Sequence, residues 1–582
     1  MGQNDPGPSE APSLKKESEY SPLLNNQESA SISEAYATFA PSSSTDSSDD
    51  SARASLSSDE ESLGGSTPVE GAPPQLPRAA VLRIIFVLLL AVFVFNADSS
   101  LVMATHPIIA SEFNALESSS WLVTGFGLAG SATQVIFGKL SDIYGRKPII
   151  LFCYIVFAIG CLIVGMGQSM VMVILGRVLS GSVGAGMSVL VSILITDLIP
   201  IREVATWRAY VNVAATTGRG VGGPLGGYLA DLIGWRYSFI GQAPLLLLAV
   251  VLCWIYLPAK TQRLPDLPSK EDGGNKLARV DFLGSALLGL LILCFLLPLE
   301  IGGVKVPWTH PAIPALFGSA AVLTVLFIVA EKRWAREPIL PLELFTRKDT
   351  VLSLLVMILQ AAAQLGLMFC VPLYFQVTMK VSSTEAGTHL LPAFAGNAIG
   401  AILSGVFINR TGKYKWLIYF ATLSAALSYS LLLLRWHGKT NWWEALYIFP
   451  GGFGTGMAQS VIFISLQAAV EPHHIAPAVS ALYLSTGLGA IVGLASMSAL
   501  LQQALRKTLE SRLLALGLEA AQRAEIISSA VSSVDYIFQA KGKIAEAVVA
   551  SYVDGLWYTH GMSLALSLLA FFLSLPLKEY KL

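Results

Sequence analysis

Charged residues are scarce in this chain: Asp, Glu, Lys and Arg make up 13% of its 582 residues, whereas hydrophobic residues make up 53%. The five cysteines all lie inside apolar stretches, where cysteine behaves as a small hydrophobic residue, so a disulfide framework is not expected. The sequence also lacks zinc-ligand spacing, a glycine-rich phosphate loop, a nucleophile elbow and a basic, aromatic nucleic-acid patch. We therefore expect neither an enzyme, nor a bound metal or cofactor, nor a nucleic-acid partner.

Long apolar stretches dominate the rest of the chain, whose mean hydropathy is +0.61. Fourteen stretches of about 20 residues follow one another between about residues 81 and 577. Because a helix rises 1.5 Å per residue, about 20 residues cross a hydrocarbon core of about 30 Å. Lys and Arg are concentrated in the links after even-numbered stretches, and basic links of this kind stay in the cytoplasm. The sequence predicts an all-α integral membrane protein in a lipid bilayer, with 14 transmembrane helices and both termini cytoplasmic.

The first 78 residues are rich in Ser, Pro, Asp and Glu and contain too few apolar residues to fold. They are predicted to form a disordered cytoplasmic tail, and the lack of an apolar segment at its start argues against a cleaved signal peptide. Within the tail, Glu19, Leu23 and Leu24 fit the acidic dileucine pattern D/E-x-x-x-L-L. A sorting adaptor can bind such a pattern and route a protein to the lysosome or vacuole, although short motifs also recur by chance in disordered tails.

A short charged loop, GKLSDIYGRKP at residues 138–148, separates the second and third apolar stretches. It matches the pattern G-x-x-x-D-x-x-G-R/K-R/K at Gly138, Asp142, Gly145, Arg146 and Lys147. In this loop the chain resembles the major facilitator superfamily of secondary transporters, whose signature joins the second and third helices. The resemblance implies a major facilitator fold and no enzymatic activity.

A second copy of the loop lies at residues 405–415, GVFINRTGKYK. The equivalent positions are Gly405, Asn409, Gly412 and Lys413. Because such a recurrence is typical of two repeated halves, we predict a six-helix half within 79–257, a linker with two inserted helices within 258–348 and a second six-helix half within 349–582. A long, charge-mixed and partly helical link at 501–555 is expected on the lumenal side. This 6 + 2 + 6 arrangement resembles the fourteen-helix drug:proton antiporters, and a monomer is expected.

Three ionisable residues fall at membrane depth, where charges are costly and indicate function. Asp98, Arg177 and Arg219 lie at similar depths in the outer halves of the first, fourth and fifth stretches. We interpret them as one proton-coupling and substrate site, with a static structural ion pair as the alternative. The resemblance assigns a role in proton coupling to the arginine of the fourth helix. Polar residues of the second half could form the facing wall or bond between helices: Gln360, Gln364, Tyr374, Asn397, Gln459 and Tyr483.

Two further groups of residues are candidates for moving parts. The resemblance implies a gating latch formed by Asp142, Arg146 and Asp197. The fifth stretch resembles the antiporter motif G-x-x-x-G-P-x-x-G-G, with Arg219 in place of the first glycine. Its small residues and its proline predict a hinge in this helix, at Gly223, Pro224, Gly226 and Gly227.

Several short segments most resemble the fungal vacuolar basic amino-acid transporters, namely Thr105-His106-Pro107, Ser119-Ser-Trp121 and GRGVGGPLGGYLAD. This resemblance implies a vacuolar membrane protein that takes Lys, Arg or His into the organelle in exchange for protons, by alternating access. Two alternatives remain open at this point. One is a drug or siderophore:proton antiporter of the plasma membrane, and the other is a nutrient sensor that keeps the fold and signals through its tail.

Overall fold

A computed structural model describes the chain at residues 77–115, 118–258, 279–302, 306–335, 337–381, 383–532 and 536–582. Every element named within these ranges is helical. The predicted sorting motif of Glu19, Leu23 and Leu24 lies outside the described residues.

Seven helices follow one another in the first predicted half. They are α1 (Arg78–Glu112), α2 (Trp121–Tyr144), α3 (Arg146–Gly165), α4 (Met170–Leu198), α5 (Ile201–Ile233), α6 (Trp235–Ile240) and α7 (Gln242–Tyr256). The chain turns sharply before α3 and before α6 at Gly145 and Gly234, whose φ angles are 96° and 92°. Only glycine adopts this region of φ without a steric cost from a Cβ atom, so these two residues permit helices to follow each other with no intervening linker.

The remaining helices are α8 (Phe282–Ile301), α9 (Ala312–Arg333), α10 (Lys348–Met379), α11 (Ser383–Thr388), α12 (Leu391–Thr411), α13 (Lys415–Arg435), α14 (Phe449–Ala469), α15 (Ile475–Ala515), α16 (Ala520–Ser532), α17 (Tyr536–Gln539) and α18 (Gly542–Ser574). Short 3-10 turns occur at Leu342–Phe345, Glu444–Ile448 and Pro472–His474.

Each of the fourteen predicted apolar stretches coincides with one helix or one pair of consecutive helices. Within the described residues, eleven helical segments are long and apolar enough to cross a membrane. The other three long helices, α2, α5 and α14, carry more glycine and polar residues and are less apolar than these eleven segments. The membrane fold is thus confirmed, whereas the number fourteen stays a prediction.

The two predicted halves repeat one pattern of helix packing. In the first, α1 packs against α5, α2 and α3 pack against α4, and α3 packs against α7. In the second, α10 packs against α15, α12 and α13 pack against α14, and α13 packs against α18. Equivalent helices of the two predicted halves thus have equivalent neighbours, and the division into two halves stays a prediction.

The halves meet along two seams, one between α5 and α12 and the other between α2 and α15. The inserted helix α8 lies along the second seam, where it contacts both α2 and α15. We call the end of the bundle that carries the α2–α3 loop the loop end, and the other end the far end.

The link predicted at 501–555 is largely helical, because α15 and α18 both continue into it. Helix α15 is 41 residues long, which corresponds to about 62 Å at 1.5 Å per residue. Its extension buries a row of leucines at a spacing of four residues, namely Leu501, Leu505, Leu509 and Leu513. These pack with α18 and with residues of α16 and α17 in one apolar cluster, so the link is a folded cap at the far end.

Candidate functional site

A buried ion pair joins α1 to α4. Arg177 Nη1 lies 2.5 Å from Asp98 Oδ2, and the two residues are 1% and 0% exposed. Arg177 Nε also donates to the carbonyl oxygen of Leu122 at 3.1 Å, and the guanidinium lies 4.0 Å from the centre of the Phe126 ring. Helix α2 therefore holds the arginine in a fixed orientation toward Asp98.

The Asp98 carboxylate is only half satisfied, because its Oδ1 is buried and has no hydrogen-bond partner among the described residues. Removing two charges from water costs several kcal/mol per ion, and apolar replacements of a buried pair are often as stable. A proton added at this carboxylate would neutralise it and leave Arg177 without its counterion. The structure thus joins Asp98 to Arg177 as predicted, and a role of this pair in proton coupling stays a prediction.

Arg219 does not join this pair, although the sequence placed it at a similar depth. Helix α5 faces α1 with Gly218, Gly222 and Gly226, where a Cβ would collide with the α1 backbone or with Leu101. Each residue turns a helix by about 100°, so Arg219 points away from α1. Its side chain is exposed, and it makes no ion pair within the described residues.

Arg208 lies 11 residues before Arg219 on α5, which is about three helical turns and places both on one face. Its Nη1 donates to the Tyr483 hydroxyl at 2.7 Å and to Ser192 Oγ at 2.6 Å. The guanidinium also lies 4.2 Å from the centre of the Phe463 ring. Because Tyr483 and Phe463 belong to the second half, Arg208 ties the two halves together near the loop end.

Arg208 was not among the predicted site residues, although the sequence contains a signal for it. Tyr210, Val221 and Tyr228 are exposed apolar residues of α5 at a spacing that keeps them on one face. The opposite face must then point toward the second half, and it carries both arginines. A helical projection of this stretch would have identified Arg208.

Further polar contacts cross between the halves at mid-depth. Asn397 Oδ1 accepts hydrogen bonds from Asn212 Nδ2 at 2.7 Å and from Thr216 Oγ1 at 3.1 Å. Near the loop end, Gln467 Nε2 donates to Thr196 Oγ1 at 2.8 Å. Among the described residues, the polar contacts between the halves extend from the loop end as far as Thr216. Arg219 lies about one helical turn further along α5, toward the far end. The halves are thus closed against each other on the loop side of Arg219.

The predicted latch residues meet at the loop end. Arg146 Nη1 lies 2.5 Å from Asp142 Oδ1, and its Nε lies 2.8 Å from Asp197 Oδ2. The neighbouring Gly138 faces the other half, since a Cβ there would collide with the Ser480 hydroxyl of α15. The structure therefore brings the three latch residues together beside a close contact between halves, and their gating role stays a prediction.

The second copy of the loop reproduces the close contact without the ion pairs. A Cβ on Gly405 would lie 2.8 Å from Thr206 Cα of α5, so this glycine too marks a contact between halves. Asn409 and Lys413 are exposed, and neither makes an ion pair within the described residues. Here the C-terminal segment covers the loop, with Glu579 Oε1 accepting from the Tyr414 backbone N–H at 3.0 Å.

The predicted hinge residues lie in an unbroken helix. Helix α5 continues through Pro224 to Ile233. Gly226 packs against Leu101, whereas a Cβ on Gly227 would meet nothing within 4 Å. At Gly223 the nearest atom to a Cβ would be Ser100 Oγ, at 3.2 Å. Close packing thus requires glycine at position 226 but not at 227, and the hinge remains a prediction.

The far end of the first half is held by Glu112 at the end of α1. Trp235 Nε1 donates to Glu112 Oε2 at 2.6 Å, and Arg236 Nη1 donates to Glu112 Oε1 at 2.5 Å. The hydrogen bond from Trp235, followed by that from Arg236, lowers the pKa of the Glu112 carboxyl below its ordinary value. This carboxylate stays ionised and joins α1 to α6.

Residues 88–494 match the sequence pattern of the Major Facilitator Superfamily, a stretch that covers more than half of the chain. The chain belongs to the major facilitator superfamily. It is accordingly an integral membrane transporter rather than an enzyme. The contacts between α1, α4, α5 and the second half are therefore those of a major facilitator protein.

Curated relatives of this major facilitator protein fall into two groups. The vacuolar membrane amino acid uptake transporter fnx2 of Schizosaccharomyces pombe is 29% identical over 437 residues, covering 74% of each chain. The vacuolar basic amino acid transporter 2 of Saccharomyces cerevisiae is 27% identical over 458 residues, covering 78% of this chain and 96% of its own. The multidrug resistance protein fnx1 of S. pombe is 28% identical over 492 residues, covering 84% and 91%.

A solved major facilitator structure has the same fold. The proton:xylose symporter XylE superposes with a TM-score of 0.53 at 14% identity, covering 85% of this chain and 95% of its own. At that identity the likeness concerns the fold alone.

Proposed function

We propose that this transporter exchanges basic amino acids, Lys, Arg or His, for protons across the vacuolar membrane and moves the amino acid into the vacuole. The observation that carries this proposal is Arg219. Arg219 is exposed on the face of α5 that also carries Arg208, three residues beyond Thr216, and no described carboxylate pairs with it. A free guanidinium in that position attracts a carboxylate through charge-assisted, bidentate hydrogen bonds.

The proton half of the exchange is assigned to Asp98. Its buried, half-satisfied carboxylate lies against Arg177 and one helix away from Arg219. A proton from the acidic lumen neutralises Asp98, weakens its bond to Arg177 and is released on the cytoplasmic side as the halves rock. The loop end is cytoplasmic in this scheme, since it carries the basic loops, and the conformation described is closed to the cytoplasm.

The names of two relatives support the substrate class, because both refer to vacuolar amino acid transport and one to basic amino acids. The second candidate function is a drug or siderophore:proton antiporter of the plasma membrane. It is favoured by the multidrug resistance relative, which has a similar identity and a greater coverage of this chain. An exposed arginine facing the translocation path disfavours purely cationic drugs, because like charges repel.

The test is ATP-dependent uptake of labelled lysine, arginine and histidine into vacuolar vesicles with and without the protein, before and after a protonophore. Protein-dependent uptake that collapses with the proton gradient is the expected result. Arg219→Ala should raise the KM by about tenfold or more, because it removes a charge-assisted bond worth about 1.5–3 kcal/mol. Arg410→Ala, which removes an exposed arginine at the loop end, is the matched control.

Two results would count against the proposal. If no basic amino acid is taken up by vesicles shown to contain the protein, the exporter becomes the better candidate. If Arg219→Ala leaves the KM for basic amino acids unchanged while Arg410→Ala behaves in the same way, Arg219 does not bind the substrate carboxylate.

A further inference from the structure

The inserted helices place a carboxylate at one of the seams between the halves. Helix α8 runs along the α2–α15 seam, with Gly289 facing the α2 backbone at Ala132. Glu300 lies one residue before the end of α8, beside Thr124 in the first turn of α2. The insertion thus brings an acid into a contact region that both halves share.

Glu300 lines a cavity of about 210 Å³ at the far end of this seam. The other walls come from α8 itself, from the α8–α9 connection, from α10 and from α15. They include Leu299, Trp308, Phe369, Ile491, Leu494 and Ser498. For comparison, an engineered apolar cavity of about 150 Å³ in another protein holds a benzene molecule. The cavity is therefore large enough for a small organic molecule.

One wall of the cavity depends on a glycine. A Cβ on Gly302 would lie 2.8 Å from two ring carbons of Trp308, so the indole folds directly onto the end of α8. This packing places an aromatic face on the cavity that also contains Glu300. Phe369 of α10 supplies a second aromatic wall.

The chemistry of these walls selects a class of ligand. Glu300 is half-buried, and no Lys, Arg or His forms an ion pair with it within the described residues. A hard divalent ion is usually held by several oxygen ligands with more than one negative charge, whereas the described walls of this cavity contribute one carboxylate beside the neutral Ser498 and Gln502. An organic ammonium ion needs one anion for its charge, and its alkyl part and charge are both favoured by aromatic walls.

We propose that Glu300 and the surrounding aromatic and aliphatic side chains form a binding site for a small alkylammonium ion at the α2–α15 seam, distinct from the face that carries Arg219. The ammonium group lies against the Glu300 carboxylate, and the alkyl chain lies along Trp308 and Phe369. The ion is enclosed by α8, α10 and α15, and α2 reaches the site through Thr124, which lies beside Glu300. This inference does not depend on which substrate the transporter carries.

A reporter cysteine tests the site directly. Ser498→Cys places a thiol on the cavity wall, in a background in which the half-buried Cys294 is changed to Ser; the other four native cysteines are buried. Purified full-length protein in nanodiscs is treated with an ammonium-bearing or a sulfonate-bearing methanethiosulfonate, and each rate is divided by the rate for a free thiol. The ammonium reagent should react about tenfold faster, and butylammonium should slow it whereas butanol and butyrate should not.

The controls separate binding from general charge effects. Glu300→Gln should remove both the charge preference and the butylammonium protection, and Glu300→Asp should retain both. Glu510→Gln removes an exposed acid from the extension of α15 and should change neither. A charge preference without butylammonium protection, or protection that persists in a monodisperse Glu300→Gln protein, overturns the proposal.

Discussion

The two copies of the signature loop occupy equivalent places in the two halves, yet they are held in different ways. In both, a glycine lets one half touch the other: Gly138 meets Ser480, and Gly405 meets Thr206. In the first copy, Arg146 adds ion pairs to Asp142 and Asp197. The second copy makes no such pair within the described residues, and the C-terminal segment packs on it instead.

The sequence explains why the second loop copy lacks the ion pairs made by Arg146 in the first. The prolines that precede the next helix, Pro200 and Pro472, align the two halves, and the residue three places earlier is Asp197 in one and Ala469 in the other. Asn409 likewise stands where the first copy has Asp142. The repeat thus preserves the glycine contact between halves, whereas among the described residues the ion pairs of the loop occur in the first copy.

The largest effect is expected at the glycines. Gly405→Ala should reduce transport about tenfold or more, because its Cβ meets the Thr206 backbone, which cannot rotate away, and overpacking costs about 1–3 kcal/mol. Gly138→Ala should do the same, but here the obstacle is the Ser480 hydroxyl. Vesicle uptake of the two variants measures both effects.

A double variant distinguishes the two glycines. Ser480→Ala should restore much of the uptake lost in Gly138→Ala, since it removes the colliding oxygen. Thr206→Ala should not rescue Gly405→Ala, because the collision is with Thr206 Cα. Equal rescue of both variants would contradict the structural difference between the two contacts.

The next effect is expected at the latch. Arg146→Ala leaves two partly buried carboxylates without their shared cation and should lower uptake about tenfold. Lys413→Ala removes the equivalent cation of the second copy, which is exposed, and should change uptake less than about twofold. Labelling of a cysteine at the loop end should rise in the first variant only, because the role predicted for Asp142, Arg146 and Asp197 is to hold that end closed.

A smaller effect is expected at the C-terminal segment, which packs on the second copy of the loop. The Tyr580 hydroxyl donates to Asp349 Oδ2 at 2.5 Å, and this bond, together with burial, raises the pKa of Tyr580 to about 12. Because the folded pKa lies above the ordinary value of 10, the bond contributes fully below pH 10 and is lost as the pH rises through 12. Tyr580→Phe should speed amide exchange of residues 578–582 at pH 7, with Lys581→Ala as the unaffected control.

The same variant checks the pH dependence. Subtracting the alkaline ultraviolet titration of Tyr580→Phe from that of the unchanged protein isolates one tyrosine, which should ionise near pH 12. Ionisation at the ordinary value would mean that the segment is not bound to Asp349 in solution.

The smallest effect is expected from giving the second copy the acid of the first. Asn409→Asp should alter uptake by less than about twofold, since position 409 is exposed and position 469 has no carboxylate to complete a latch. A large gain or loss on this change would show that the second loop carries an electrostatic function of its own. Asn409→Gln is the neutral control.

Much of the fold could be predicted from the sequence, because long apolar stretches and basic links are properties of single segments. The repeated loop predicted that Gly138 and Gly405 are equivalent. In the structure each of these glycines makes a close contact with a helix of the other predicted half. The family resemblance grouped Asp142, Arg146 and Asp197, and the structure brings them together because they lie at the ends of adjacent helices. Hydropathy alone does not fix the number of membrane spans, since α2, α5 and α14 contain glycine and polar residues that lower their mean hydropathy.

The candidate site was only partly predictable. Depth along a helix placed Asp98, Arg177 and Arg219 at one level, but depth does not say which way a side chain points. The glycines of α5 turn Arg219 away from α1, so the predicted cluster of three is a pair and a separate arginine. Arg208 was overlooked because its basic side chain lies near a basic loop, and its partners Tyr483 and Phe463 are more than 250 residues distant in sequence.

Because α15 is long and continuous, it connects the contact between the halves to the cap at the far end. The helix is continuous for 41 residues, with Tyr483 touching the first half near one end and Leu513 buried in the cap near the other. The 30 residues from Tyr483 to Leu513 span about 45 Å at 1.5 Å per residue. A tilt of α15 by about 10° around the contact at Tyr483 therefore displaces the cap sideways by about 8 Å. Such a tilt moves the loop end of α15 by only a few ångströms but moves the cap further. A distance measured between a label on the cap and the rest of the protein would report this movement.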